Sequence, residues 1–391
     1  MLLEENIMVI SLDRTSAGNS TVKSIGSVLE SWAPKALAES YDNPGLQVGR
    51  PDRRVKKGLI ALDMTPQVLQ EAIENRCELI ITHHPLIFSP LADLTPHSYV
   101  SGLALALAES KIALYSSHTN LDSVRGGVSF ALAEQLGLID VDFLMPKDDC
   151  VVKLITFTPA ESASHVREAM TAAGAGQIGQ YSGCAFETTG KGYFTPGSDT
   201  NPSIGEPGGP SQSVEEIKIE SEVTKWNLPA VLAALHASHP YDEVPYDVFP
   251  VKQPFRNAGL GAIGQLKVPV SLRQLLTSIS SRLQNPALRY AGDLDKQIER
   301  VAVCGGSGSK YLGVAQRAGA DAYVTADVTY HTFFDSLHVD GRHGIALIDP
   351  GHYESERITE KLLLDYLQEN APDVDWKRTS TRTAPVRTFI P

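Results

Sequence analysis

The sequence predicts an α/β protein made of two similar α/β halves, with a ferredoxin-like α+β domain inserted between them. Three observations carry this. Apolar β-branched runs alternate with helical stretches before residue 150 and again beyond residue 258, the grammar of a largely parallel sheet covered on both faces. The run ELIITHH at 78–84 is answered by DAYVTAD at 321–327, each with an acid, an apolar strand and a threonine in the same places. Between them the order is strand, helix, strand, strand, helix, strand, which is that of a ferredoxin-like module.

Residues 1–20, MLLEENIMVISLDRTSAGNS, read as a weakly ordered extension: Glu4 and Glu5 stand where a signal peptide carries positive charge, and no cleavage pattern follows. The N-terminal half, 21–150, contains the strand KKGLIALD, the helix TPQVLQEAIENRC and the strand ELIITHHP. Thr65 is placed to cap that helix, with Pro66 at its first position. A second unit follows: the helical SYVSGLALALAESK, the short strand IALYSS and a polar turn carrying His118, Asn120 and Asp122.

The insert, 151–257, opens on the strand VVKLITFTPAE and a helix over about 162–173. Two strands then flank the Gly/Pro/Ser-rich loop GSDTNPSIGEPGGPSQS, and the helix NLPAVLAALHASH and strand YDVFPV close the module. The C-terminal half, 258–391, resumes the main fold and returns to the earlier pattern in RVAVCGGSGSKYLGVAQRAGADAYVTADVTYH. Any two βα units look alike at this level. If the likeness is a true repeat, strand ends of both halves face one crevice, where open α/β sheets place ligands.

A chain of 391 residues calls for two or three domains. With 42% hydrophobic and 20% charged residues it is ordinary for a soluble protein, and no apolar run is long enough to span a bilayer. The net charge of −12 disfavours nucleic acid and leaves small molecules as the expected partners. Cys77, Cys150, Cys184 and Cys304 show no CxxC spacing. That suits neither a thiolate zinc site nor a disulfide framework, and places the chain in a reducing cytoplasm.

The chemistry lies in histidines and acids that follow short strands. In IALIDPGHYESERITEKLLLDYL, His352 and Glu356 stand four apart at the start of a helix, so both face one side and can converge on one ion. Taken alone, the pair is more economically a polar cap with a glutamate complementing the helix dipole. In LIITHHPLIF, His83 and His84 are adjacent. If the strand runs through His84 the two rings point to opposite sides and serve different ions, or one ligates and the other supports. Alone, this pair too reads as a strand end, closed by Pro85.

Together with Asp122 in SSHTNLD the balance reverses. Imidazoles and carboxylates are the ligand set for Zn, Mn, Fe, Co or Ni. His83, His84, Asp122, His352 and Glu356 exceed what one open tetrahedral ion needs, whereas two divalent ions bridged by a carboxylate and a water use them all.

THHP, SSHTNLD and DPGHYESE, with DNPGLQVG (42–49) and CGGSGS (304–309), resemble the signatures of the Nif-three-like dinuclear metal-centre family, also known as GTP cyclohydrolase I type 2 homologues. The resemblance runs from about residue 22 to the end. It implies a three-layer Nif-three-like fold, metal ligands at His83, His84, Asp122, His352 and Glu356, and a toroidal homohexamer with its metals facing an inner cavity. The insert, through AGAGQIGQYSGCAF and HPYDEVPYDVFP, resembles the PII/CutA-like middle domain of the longer bacterial members. One departure is Ala326, which precedes Asp327 where the family's pattern has glycine.

His118, Asp327 and His331 are candidates to orient a ligand or move a proton, and each is equally readable as a surface residue. Gly305, Gly306, Ser307 and Gly308 form a weaker anion-binding candidate. They lack the P-loop ending, and either free amides or a tight strand-to-helix turn explains them. The cluster HPYDE, with His239, Tyr241, Asp242 and Glu243, faces the cavity or makes an oligomer contact. Two functions follow. The first is a metal-dependent hydrolase of a small anionic or nucleotide-like substrate, which the resemblance narrows to GTP ring opening. The second is a non-catalytic metal-binding or regulatory scaffold whose insert senses a ligand or gates the cavity.

Overall fold

Three sheets organise the chain in the computed structural model, which describes residues 20–342, 344–387 and 389. Apart from Ser20, the expected N-terminal extension lies outside the described residues. In chain order the strands are β1 (Gly45–Val48), β2 (Lys57–Ala61), β3 (Leu79–Thr82), β4 (Ala113–Ser116), β5 (Leu138–Lys147), β6 (Val151–Pro159), β7 (Ala185–Phe194) and β8 (Gln212–Thr224). They continue with β9 (Tyr246–Pro250), β10 (Phe255–Ser271), β11 (Arg289–Ala291), β12 (Gln297–Val303), β13 (Ala322–Val324), β14 (Ala346–Asp349) and β15 (Asp375–Arg378).

The first sheet has the order β1-β4-β3-β2-β15, parallel from β4 to β15 with β1 antiparallel at the edge. Its strands are apolar on both faces because both are covered. Ile60, Leu79, Ile81 and Tyr115 pack with Ile25, Leu29, Leu363 and Leu367 on one side. Leu59, Ile80 and Leu114 pack with Val68, Leu69 and Leu107 on the other. The helix Pro66–Asn75 starts as its sequence predicts, with the Thr65 hydroxyl accepting the Val68 N–H and Pro66 in the first turn.

The second sheet, β11-β14-β13-β12-β10-β5, is parallel through β12, β13 and β14. It too is covered on both faces, by the helices Leu272–Leu283 and Leu312–Arg317. Two strands are exchanged between the sheets: β5, from the chain before the insert, pairs with β10, and β15, from the C-terminal end, pairs with β2. The helix Val128–Leu136 gives Val128 to one core and Leu132, Ala133 and Leu136 to the other.

The third sheet, β7-β8-β6-β9, is antiparallel throughout. Its helices Ala163–Ala172 and Leu228–Ser238 cover one face through Val166, Met170, Val231 and Leu235, the arrangement of a ferredoxin-like module. Within it, His239 Nε2 lies 3.0 Å from the Phe157 carbonyl and the Tyr241 hydroxyl donates to Glu216 at 2.8 Å. The Asp242 carboxylate accepts the Asn201 amide at 3.0 Å. The HPYDE cluster thus fastens the module's own elements together.

The β2–β15 contact leaves no room at Gly58. A Cβ there would lie 2.1 Å from Cζ3 of Trp376, a buried ring whose Nε1 donates to the Ala371 carbonyl. Gly58→Ala is therefore expected to destabilise the protein by about 1–3 kcal/mol, read as a lower midpoint in thermal or denaturant unfolding.

Candidate metal centre

The parallel strands of both sheets end at one place, and the residues beyond their C-terminal ends converge there, as the crevice rule for open α/β sheets requires. β3 stops at Thr82, before the histidines, because the Thr82 hydroxyl donates to the His84 carbonyl at 2.8 Å and turns the chain. This corrects the expectation of rings pointing to opposite sides. The His83 and His84 centroids are 5.0 Å apart, and ligating atoms of His83, His84 and His118 lie within 4.8 Å of one another.

Four imidazoles are presented in the same way. His83 Nδ1 lies 2.8 Å from the Ser117 carbonyl, His84 Nδ1 2.7 Å from Asp63, His118 Nδ1 2.8 Å from Asp42 and His352 Nδ1 2.8 Å from Asp327. A carbonyl or ionised carboxylate only accepts, so each Nδ1 carries the proton and each Nε2 keeps its lone pair when the ring is neutral. That is how proteins orient histidines for metals.

The C-terminal half supplies the shared anion. After β14, Gly351 turns the chain with φ 91° and the short helix His352–Glu356 begins. Glu356 is only 4% exposed. Its Oε2 lies 2.9 Å from His84 Nε2 and 3.0 Å from His352 Nε2, while Oε1 faces His83 Nε2 at 3.8 Å. The two oxygens of one carboxylate thus face different imidazoles. Asp122, in the one-turn helix Thr119–Asp122, places Oδ1 3.7 Å from His83 Nε2.

Those last two atoms test whether the residues suit an ion. His83 Nε2 and Asp122 Oδ1 are buried and have no hydrogen-bond partner, an arrangement that costs free energy unless something fills the gap. Their separation is too long for a hydrogen bond and close to the ~3.4 Å between two ligands of one tetrahedral ion with bonds near 2.1 Å. The donor set fits a divalent transition metal, and the orphaned atoms leave a gap that an ion would fill.

The electrostatics agree. Burial opposes charge on His84, yet Asp63 and Glu356 raise its pKa to about 10. Burial likewise opposes charge on His352, and Glu356 and Asp327 raise it to about 9. Glu356 is itself held well below the usual carboxylate range, against its burial, by the imidazoles of His352, His83 and His84. Burial pushes Asp122 up despite the facing His83 ring. Asp42 is drawn down to about 2, against its burial, by hydrogen bonds from His118 and Thr119. A pocket that gathers protons onto its imidazoles is one in which divalent cations would replace them.

All five expected ligands meet here. His118 joins them through its Nε2, and Asp327, at φ 54°, meets His352 directly after Ala326. His331 begins a 3-10 turn (His331–Ser336), is exposed and packs edge-on against Tyr330, without a hydrogen bond to the centre. The glycine loop is a wall of the site. The amides of Gly305, Gly306 and Gly308 are committed to the hydroxyls of Ser129, Ser355 and Thr325, so they are not the free anion cradle the sequence suggested.

Asp42 and Asp63 are the partners that sequence reasoning did not single out. Their signal was present: Asp63 directly follows the β2 run and Asp42 opens DNPGLQVG. An acid just beyond a parallel strand, or in a loop facing such ends, is placed to support a histidine.

Fold and site together define a two-halved α/β protein with a histidine–carboxylate centre between its halves. The chain belongs to the Duf34/NIF3 (NGG1p interacting factor 3) family, whose model matches residues 20–385. It is 39% identical over 368 residues to a protein of Halalkalibacterium halodurans named GTP cyclohydrolase 1 type 2 homolog, covering 93% of this chain and 97% of the relative. A Bacillus subtilis protein of the same name is 39% identical over 340 residues, covering 86% and 90%. The crystal structure of a Bacillus cereus protein related to NIF3 superposes with TM-score 0.82 at 36% identity, covering 95% of this chain and all of that one. A Staphylococcus aureus structure gives TM-score 0.75 at 29% identity, covering 95% and 99%. Among the described residues, no helix is long and apolar enough to cross a membrane.

Proposed function

We propose that this chain holds two divalent transition-metal ions (Zn, Mn, Fe, Co or Ni) on His83, His84, Asp122, His352 and Glu356, and hydrolyses a small anionic or nucleotide-like substrate. The observation that carries this is the Glu356 carboxylate, with one oxygen toward His84 and His352 and the other toward His83, whose Nε2 and the facing Asp122 Oδ1 are orphaned. Ions held there would lower the pKa of a water and polarise a carbonyl or phosphoryl oxygen. Asp42 keeps the proton of His118 on Nδ1 and aims Nε2 into the same space, which makes His118 the imidazole placed to hold or move a proton. The relatives named GTP cyclohydrolase 1 type 2 homolog favour a nucleotide-like substrate. The resemblance of the motifs supports a homohexamer with the metals facing its inner cavity, and the cysteine usage supports a cytoplasmic location.

A non-catalytic scaffold is the second reading. It is favoured by the observation that Asp42, Asp63 and Asp327 are each committed to a histidine of the cluster, so that His118 alone stands outside the proposed ligand set as a group to move a proton. Protein loaded with Mn, Zn or Fe(II) is offered GTP, cyclic nucleotides, phosphoesters and amides. Turnover that depends on the ion is the expected result. A fully loaded protein with no turnover on any of them would establish the scaffold instead.

A further inference from the structure

The residues after β15 reach the centre from outside the ligand set. First they are anchored: the hydroxyls of Thr379, Ser380 and Thr381 and the Ser380 amide all donate to the single carboxylate of Glu71 on the helix Pro66–Asn75. The next two side chains then part. The Arg382 guanidinium donates to Glu354 at 2.6 Å and lies over the Tyr353 ring, 4.6 Å from its centroid. Both partners sit between His352 and Glu356 on the ligand helix of the C-terminal half. The Thr383 hydroxyl donates to Asp63 Oδ2 at 2.6 Å, and the other oxygen of Asp63 holds His84 Nδ1 at 2.7 Å. Thr383 is 6% exposed, so water does not readily substitute for it.

We propose that residues 379–383 form a clamp that sets metal affinity, in which Thr383 is a positioning residue for His84 and Arg382 steadies the ligand helix opposite. The physical reason is that the ligands come from two different sheets. His84 follows β3 in the first, His352 and Glu356 follow β14 in the second, and an ion between them needs both frames in register. Adjacent residues of one anchored strap touch both frames. Without the Thr383 hydroxyl, Asp63 keeps its charge but loses the contact that holds its second oxygen, and the His84 ring gains freedom that ion binding must then remove. Partners of this kind typically contribute 10- to 100-fold in affinity.

The inference rests on the metal-site reading, and the test separates the two. Zn(II) affinity is measured by chelator competition for the full chain and for Thr383→Val, Thr383→Ser and Arg382→Gln, together with the thermal midpoint of each ion-free protein and the visible spectrum of each Co(II)-loaded one. The clamp predicts roughly 10- to 100-fold weaker binding and an altered Co(II) spectrum for Thr383→Val, an ion-free midpoint near the parent's, and recovery in Thr383→Ser. Arg382→Gln is expected to weaken binding through the other frame, and carries the test if Thr383→Val does not fold. Affinity within about twofold of the parent in both Thr383→Val and Arg382→Gln overturns the clamp. So does a loss that Thr383→Ser shares in full. A parent protein that holds no ion overturns the metal-site reading itself.

Discussion

Glu356→Ala empties the centre: metal content after dialysis falls to background and affinity drops more than about 100-fold, beyond what loss of an outer partner costs. The carboxylate is common to both groups of imidazoles, with Oε2 on His84 and His352 and Oε1 toward His83. Its removal therefore takes a partner from all three of these imidazoles at once. The ion-free protein changes as well. His84 and His352 have pKa values raised to about 10 and about 9, above the unfolded value of about 6.5. Their pairing with Glu356 therefore adds stability that is full below pH ~6.5 and is lost as pH rises through those values. The parent's ion-free thermal midpoint is expected to fall between pH 7 and 10. In Glu356→Ala that slope flattens, because one of the two carboxylates that raise each pKa is gone while Asp63 and Asp327 remain. Metal analysis and a pH series of melting curves check both halves. A mutant that retains a full complement of ions would exclude Glu356 as the shared ligand.

Gly306→Ala is expected to do comparable damage with a single methyl group. A Cβ at 306 would lie 2.1 Å from Glu356 Oε1 and 3.2 Å from His352 Nε2, inside the space the ligand atoms occupy. Glu356 is buried and held by two imidazoles, so it has nowhere to swing. The residue also has φ 59°, which costs a non-glycine residue about 1–2 kcal/mol. Gly126→Ala separates the two effects, since Gly126 has φ 74° with nothing within 4 Å of its Cβ position. Both variants should melt at lower temperature, and only Gly306→Ala should lose metal, by at least ~10-fold in affinity. Equal metal binding in the two would show that the loop can yield without disturbing Glu356.

The histidines and acids that meet at the candidate centre were legible because each lies just beyond a short apolar strand, in a pattern that spacing can report. The helix cap at Thr65 and Pro66 and the six-element order of the insert were legible for the same reason. The tight glycine turn was recognised but its use was not. Free amides suggested an anion, and only the neighbouring hydroxyls of Ser129, Ser355 and Thr325 show those amides to be occupied. Likewise His331 and His118 looked alike in sequence, yet only His118 has Asp42 behind it and the centre in front.

By itself the sequence determined which segments become strands and helices, which side chains follow the strand ends, and that histidines and acids able to hold metal were available there. The tertiary structure alone decided that β3 stops before His83, that β5 and β15 change sheets, and that Asp63 and Thr383 stand behind His84. The reason is distance along the chain. Periodicity and capping act over a few residues, whereas His84 meets Glu356 across 272 positions and Asp63 meets Thr383 across 320. Contacts of that range are selected by the packing of two sheets against shared helices, and a local pattern holds no record of them.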